Sequence, residues 1–294
     1  MQPLTASVSP HLHCEKTVVR VMLGVIIALL PVVVAGIYLF RAKAFFIILT
    51  GVAFSCLAEY ACAMFFKKKN PLGDLSAVVT GLLFALTLPP VTPLWVVAAG
   101  SVFAIVFGKQ FFGGLGHNPF NPALIGRIFV ELSWSKQIMM ENDPLVISKF
   151  GLDGAIPSSL NMFLGNMPGG IGEVSKLMII AGGLFLLLRR QVSLHIPISL
   201  IAASAVTALV FKNNPVVHLL SGGLLLAAFF MATDPVTTPV SAMGKMIFGG
   251  CCGFLAVLIR IEGGFPEGVY YSILIMNMLT PVIDRYTRIK RFGT

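Results

Sequence analysis

The sequence is poor in charge, in acids above all. Of 294 residues only 12 are Asp or Glu, and all charged residues together make 11%. A soluble domain carries about 25%. Charge this sparse excludes a disordered chain, and 56% hydrophobic residues with a mean hydropathy of +0.90 leave little polar surface to hold the chain in water. Cysteine is scarce too. The five cysteines have no C-x-x-C spacing and four of them, Cys56, Cys62, Cys251 and Cys252, lie in apolar runs, so a disulfide framework or tetrathiolate zinc site is excluded. His11, His13 and Cys14 are three ligand-type residues on one terminal segment, which do not amount to a zinc site. Dinucleotide-fold fingerprints and P-loops are also missing. The net charge of +9 implies no nucleic-acid partner, because in a membrane protein basic excess gathers in cytoplasmic loops and sets topology.

What remains is apolar sequence in long runs. The charge-free stretch 21–40 is long enough to cross about 30 Å of hydrocarbon as a helix. Further runs occupy 44–66, 75–88, 94–107, 121–134, 177–188, 196–211, 218–232, 246–259 and 268–283. The expected fold is therefore an all-α polytopic membrane protein of about ten transmembrane helices, several of them short. With the N-terminus in the cytoplasm, 13 Lys and Arg fall inside and 8 outside. This bias places both termini in the cytoplasm.

The chain also repeats itself. Asn70-Pro71, Gly81-Leu82-Leu83 and Pro90-Val91-Thr92-Pro93 recur as Asn214-Pro215, Gly223-Leu224-Leu225 and Pro235-Val236-Thr237-Thr238-Pro239. Five spans in each copy make the second enter the membrane from the opposite side. The expectation is a 5+5 inverted repeat with broken helices, an arrangement that places half-helix ends near a polar ligand. The implied segments are a cytoplasmic stretch 1–20, a first repeat 21–134, an outer loop 135–174, a second repeat 175–283 and a basic tail 284–294. The two Pro-Val-Thr breaks, with Thr92 and Thr237, are expected either to form a central polar site or to serve as tight re-entrant turns.

Two acids stand inside apolar sequence, and an intramembrane carboxylate is a functional-site hypothesis by default. Glu59 lies deep in its span, within possible reach of Lys67 and the interface. Asp234, in Thr233-Asp234-Pro235, could cap a half-helix or coordinate a cation. The outer loop holds four of the 12 acids, Glu141, Asp143, Asp153 and Glu173. Loops of this length are generally functional, and its Gly-rich end leads into a helix whose free N–H groups could receive a phosphate.

Gly116-His117-Asn118-Pro119-Phe120-Asn121-Pro122-Ala123, Leu164-Gly165-Asn166 with Gly172-Glu173, and Met231-Ala232-Thr233-Asp234-Pro235-Val236 together resemble the D subunits of Rnf electron-transport complexes, relatives of the B subunit of Na⁺-translocating NADH:quinone reductase. The resemblance implies a flavin-carrying membrane subunit that relays electrons between ferredoxin and NAD, coupled to Na⁺ or H⁺ movement, with the other Rnf-type subunits (A, B, C, E, G) and the bilayer as partners. It implies FMN esterified to a Thr in a D-G-x-[ST]-x-A-T pattern on the outer side. Asp153 and Gly154 match that pattern, Ile156 stands at the [ST] position, Ser158 at the Ala position, and Ser159 at the acceptor. A second, non-covalent flavin is implied nearer the cytoplasmic side, with no motif here to place it. NAD and iron–sulfur chemistry would belong to partner subunits. The competing class, from the repeat alone, is a stand-alone channel or carrier for a small solute.

Overall fold

The computed structural model describes residues 17–66, 72–139, 144, 157–263, 265 and 267–287. Among them there are helices and turns but no strand. The first half holds α1 (Val18–Phe40), α2 (Ala42–Phe65), α3 (Ser76–Leu86), α4 (Leu94–Gly108) and α5 (Pro122–Ile138). A short α6 (Ser159–Leu164) follows. The second half holds α7 (Lys176–Leu188), α8 (His195–Val210), α9 (Pro215–Leu220), α10 (Leu224–Leu226), α11 (Ala242–Glu262) and α12 (Gly268–Tyr286).

Local chemistry explains most boundaries. Thr17 caps α1 through its hydroxyl, and α1 ends where Arg41 takes a left-handed φ of 55°. Asn121-Pro122 and Asn214-Pro215 start α5 and α9 alike. The Asn side chain accepts from the N–H two residues on, at 3.0 and 2.9 Å, and Pro at the first helical position has no N–H to leave unpaired. Asn70 and Pro71 of the first repeat copy lie outside the described residues.

Four helices are long and apolar enough to cross a membrane: Val18–Phe40, Ala42–Phe65, Leu94–Phe112 and Ala242–Glu262. Their outer faces carry exposed Val34, Leu57, Phe65 and Met243. An apolar exterior around helices that satisfy their own backbone is what hydrocarbon requires. The chain is an all-α, multi-pass membrane protein.

The halves pair their elements in one order. α2 packs on α3 and α4, and α4 on α5; α8 packs on α9 and α11, and α11 on α12. Across the halves α1 packs on α7 and α5 on α12. Small residues permit the first of these contacts: a methyl on Gly182 would sit 2.1 Å from the Ala28 carbonyl.

Two expected spans come out differently. The run 218–232 is no single helix: α9 stops at Ser221-Gly222-Gly223, where Gly222 has a φ of 63°. α10 then widens into a π-helical turn over Ala227–Met231. The fifth span continues past 134 to Ile138 across a kink at Trp134 (φ −137°, ψ 44°), because the polar tail Ser135-Lys136-Gln137 is still helix-compatible.

Candidate intramembrane sites

Polar side chains inside the helical body gather in two places. The first is built around Glu59, buried in the last turns of α2. Lys109, at the end of α4, sets its ammonium 2.7 Å from both carboxylate oxygens of Glu59, and the Gln110 amide donates to the same carboxylate at 3.0 Å. Lys109 also donates to the Ser76 hydroxyl. Ser76 in turn donates through its hydroxyl and its N–H to Asp74, at 2.5 and 2.9 Å, at the start of α3. Glu59 is thus neutralised inside the protein and does not reach out toward the interface. In the sequence Lys109 reads as a loop charge, but it is 1% exposed.

The second break lies close by. Asp234 accepts from the Val236 N–H at 3.2 Å through its side chain, and its carbonyl accepts from the Thr238 hydroxyl at 2.8 Å. Thr237 offers its carbonyl to the Thr280 hydroxyl at 3.0 Å. The Asn277 amide joins that carbonyl to the Asn121 N–H, at 3.3 Å each, and the Asn121 amide donates to the Met231 carbonyl. So the Asn-Pro start of α5 is tied to the end of the π-helical turn. Ser76, Thr80, Lys109, Asn118, Asn121, Gln191, Thr233 and Asp234 line one pocket, with apolar residues of α1, α3 and α7 among its other walls.

Thr92 is elsewhere. Its hydroxyl closes a turn onto the Pro89 carbonyl at 2.8 Å, and the 90–94 turn lines a different hollow with Lys43 and Phe46. The two breaks therefore do not meet in one central site. Asp234 and Lys109 face one pocket, with Glu59 behind Lys109, Thr92 faces another, and Thr237 is held by α12.

The second polar region was not anticipated. Arg127 and Glu131 of α5 form an ion pair at 3.0 Å, and Arg260 pairs with Glu267 at 3.5 Å. The Arg127 guanidinium sits 5.5 Å over the Tyr270 ring and donates to the Thr87 carbonyl. The Tyr270 hydroxyl donates to Glu173. Lys176 donates to the carbonyls of Glu173 and Gly222, while the Gly223 N–H donates to Glu267 at 3.3 Å. The strap bearing Glu173 is docked on the end of α3, where the N–H groups of Ile171 and Gly172 reach the carbonyls of Leu88 and Leu86 at 2.9 and 2.7 Å. The six acidic and basic side chains are each no more than 5% exposed except Glu267, at 7%. Arg127 and Glu131 inside a weak apolar run were the available signal.

A match to the NQR2, RnfD, RnfE family model runs over residues 5–293. The chain belongs to that family. It is 41% identical to the D subunit of the Na(+)-translocating ferredoxin:NAD(+) oxidoreductase complex of Acetobacterium woodii, over 99% of this chain and 95% of that protein. It is 40% identical to the D subunit of the proton-translocating ferredoxin:NAD(+) oxidoreductase complex of Clostridium ljungdahlii, over 99% and 96%. The D subunit of the ion-translocating oxidoreductase complex of Stutzerimonas stutzeri is 37% identical over 95% and 93%.

Two places bear on the flavin that the sequence resemblance implies. Ser159 is exposed in the first turn of α6, with Ser158 before it, also exposed, as the N-cap; an exposed hydroxyl is open to esterification. Asp153 and Gly154 lie outside the described residues. α6 is anchored by Met162, which packs with Leu39 and Phe40 at the far end of α1. The Lys109–Asp234 pocket lies at the opposite end of α1, lined by Val21 and Met22. Apolar walls with a few convergent polar groups are the usual make-up of a small-molecule pocket.

Proposed function

We propose that this chain is the D-type membrane subunit of a redox-driven, ion-translocating ferredoxin:NAD(+) oxidoreductase of the cytoplasmic membrane, assembled with the other Rnf-type subunits. The observation that carries this is end-to-end similarity to proteins of that name, at 40–41% identity over 99% of the chain. The chain works as a carrier within the complex and holds no complete active site of its own. In this reading Ser159 carries FMN through a phosphoester on the outer side, and the Lys109–Asp234 pocket holds a second, non-covalent flavin on the cytoplasmic side. Flavin supplies the one- and two-electron chemistry, and the protein supplies position, electrostatics and exclusion of water. The Glu59-paired Lys109 and Asp234 give the pocket its polar side, and the walls of α1 and α3 keep water out. Glu59, Asp234, Thr92 and Thr237 are the candidate groups for Na⁺ or H⁺ passage, and the two five-helix halves form an inverted repeat.

Flavin fluorescence of the denatured protein in a gel tests the carrier. A fluorescent band in the wild type that disappears in Ser159→Ala establishes the attachment. Absence of any flavin, in the band or released on denaturation, overturns the reading and returns the chain to a stand-alone channel or carrier.

A further inference from the structure

The three ion pairs among the described residues join Glu59 to Lys109, Glu131 to Arg127 and Glu267 to Arg260. Glu173 belongs to none of them. It is 3% exposed, and its side chain is held by the Tyr270 hydroxyl. Lys176 stands nearby but directs its ammonium to the carbonyls of Glu173 and Gly222. Glu173 and Glu267 approach the same Gly223: a methyl built there would lie 2.8 Å from Glu173 Oε1, and the Gly223 N–H donates to Glu267. A buried carboxylate with no cation of its own and a second carboxylate beside it is costly, and a buried group in that position takes up a proton instead of staying charged.

We propose that Glu173 is a proton-binding site: it holds an exchangeable proton as a neutral carboxylic acid, at the point where the outer strap meets both halves of the membrane body. Protonated on one oxygen, the acid still accepts from Tyr270 on the other. Loss of the proton to bulk water leaves a carboxylate facing Glu267 just before α12, Tyr270 of α12, Arg127 of α5 and Lys176 of α7, with Glu131 and Arg260 behind them as the ion-pair partners of Arg127 and Glu267. If Glu173, Glu131 and Glu267 are all ionised, they balance Arg127, Lys176 and Arg260. With Glu173 protonated, the cluster carries one positive charge. Each turn of the site therefore moves one unit of charge in a water-poor region, which is what a coupled electron or ion step needs. That use rests on the reading of the chain as a redox-driven translocase; the proton site itself does not. Burial and the Glu267 charge push the Glu173 carboxyl up to about 8, against the opposing effects of Tyr270, Arg127 and Lys176.

Infrared spectroscopy of the purified chain across pH tests this without flavin. The expected result is a protonated-carboxyl carbonyl band that titrates near pH 8 and is absent in Glu173→Gln, a near-isostere of the neutral acid. In Tyr270→Phe the band persists with its midpoint moved upward, because a donor that favours the carboxylate has gone. Glu173→Asp serves if the Gln variant does not fold, and there the band moves in frequency. A band unchanged in both Glu173 variants, or no titrating band in the wild type, overturns the proposal. Failure of the flavin reading leaves these spectra unaffected.

Discussion

At the scale of single residues, pairing decides what each intramembrane charge costs. Removing one member of a buried pair typically costs about 3–5 kcal/mol, because the remaining charge is stranded. Glu59→Gln alone is expected to lower folded yield by strongly destabilising the protein, since Lys109 loses its counter-charge. The Glu59→Gln/Lys109→Met double variant removes both charges and recovers much of that yield, measured by size-exclusion chromatography in detergent. If Glu59 lies on the ion path, the double variant assembles yet transports poorly, and wild-type coupled transport in it removes the pair from the path. Asp234→Asn is a cleaner probe. The amide oxygen can still accept from the Val236 N–H, so assembly is expected to stay intact while ion-coupled activity falls. Unchanged activity would exclude Asp234.

Glu173 gives the residue scale its pH dependence. Its folded-state pKa lies above the ordinary carboxyl value, at about 8, so between the ordinary value and 8 the folded state binds more protons than the unfolded one. Stability then falls as pH rises through this window. The thermal midpoint of the wild type is expected to decline from pH 5 to 8 more steeply than that of Glu173→Gln. Equal slopes for the two would show that Glu173 does not titrate differently on folding.

At the scale of elements, charge-free apolar runs made most helices legible. The Asn-Pro starts, the charge-free runs of α1, α2 and α4, and the Pro-Val-Thr breaks all follow from local chemistry. The failures share a cause: a linear hydropathy profile treats each charge as belonging to water. Lys109, Lys176 and Arg260 stand in the sequence just outside apolar runs and Arg127 inside a weak one, and all four are buried because a partner from another element meets each of them. Glu173 looked like part of an outer loop and is locked between α3 and α12 because the strap completes the backbone bonding of a helix that ends too early. The non-adjacency of the two breaks was equally invisible, since it depends on how the halves face each other. Gly172 shows what the docking demands. A methyl there would lie 2.6 Å from the Leu86 side chain and 3.1 Å from the Leu86 carbonyl, so Gly172→Ala has to push the strap off α3. The expected loss is about 1–3 kcal/mol, read as faster proteolysis of the segment after α6 together with a lower thermal midpoint.

For the whole molecule, the same burial sharpens orientation. The basic residues counted by the sequence alone stand at 13 inside against 8 outside. A side chain neutralised or capped inside the protein exerts no pull toward either aqueous phase in the finished fold. Removing buried Lys109 from the inner set and buried Arg127, Lys176 and Arg260 from the outer set leaves twelve against five, a stronger bias for both termini in the cytoplasm. The placement also assigns the two proposed flavin sites to opposite faces, since Ser159 stands beyond the end of α1 at Leu39–Phe40 and the Lys109–Asp234 pocket beside its start at Val21–Met22. A fluorescent-protein fusion at the C-terminus is expected to fluoresce. In a background without native cysteines, Ser158→Cys is expected to react with a membrane-impermeant thiol reagent in intact cells stripped of any outer membrane. Protection of the introduced thiol until the membrane is opened, with a dark C-terminal fusion, would invert the molecule. The flavin proposed at Ser159 would then face the cytoplasm, and its proposed place on the outer side would be lost.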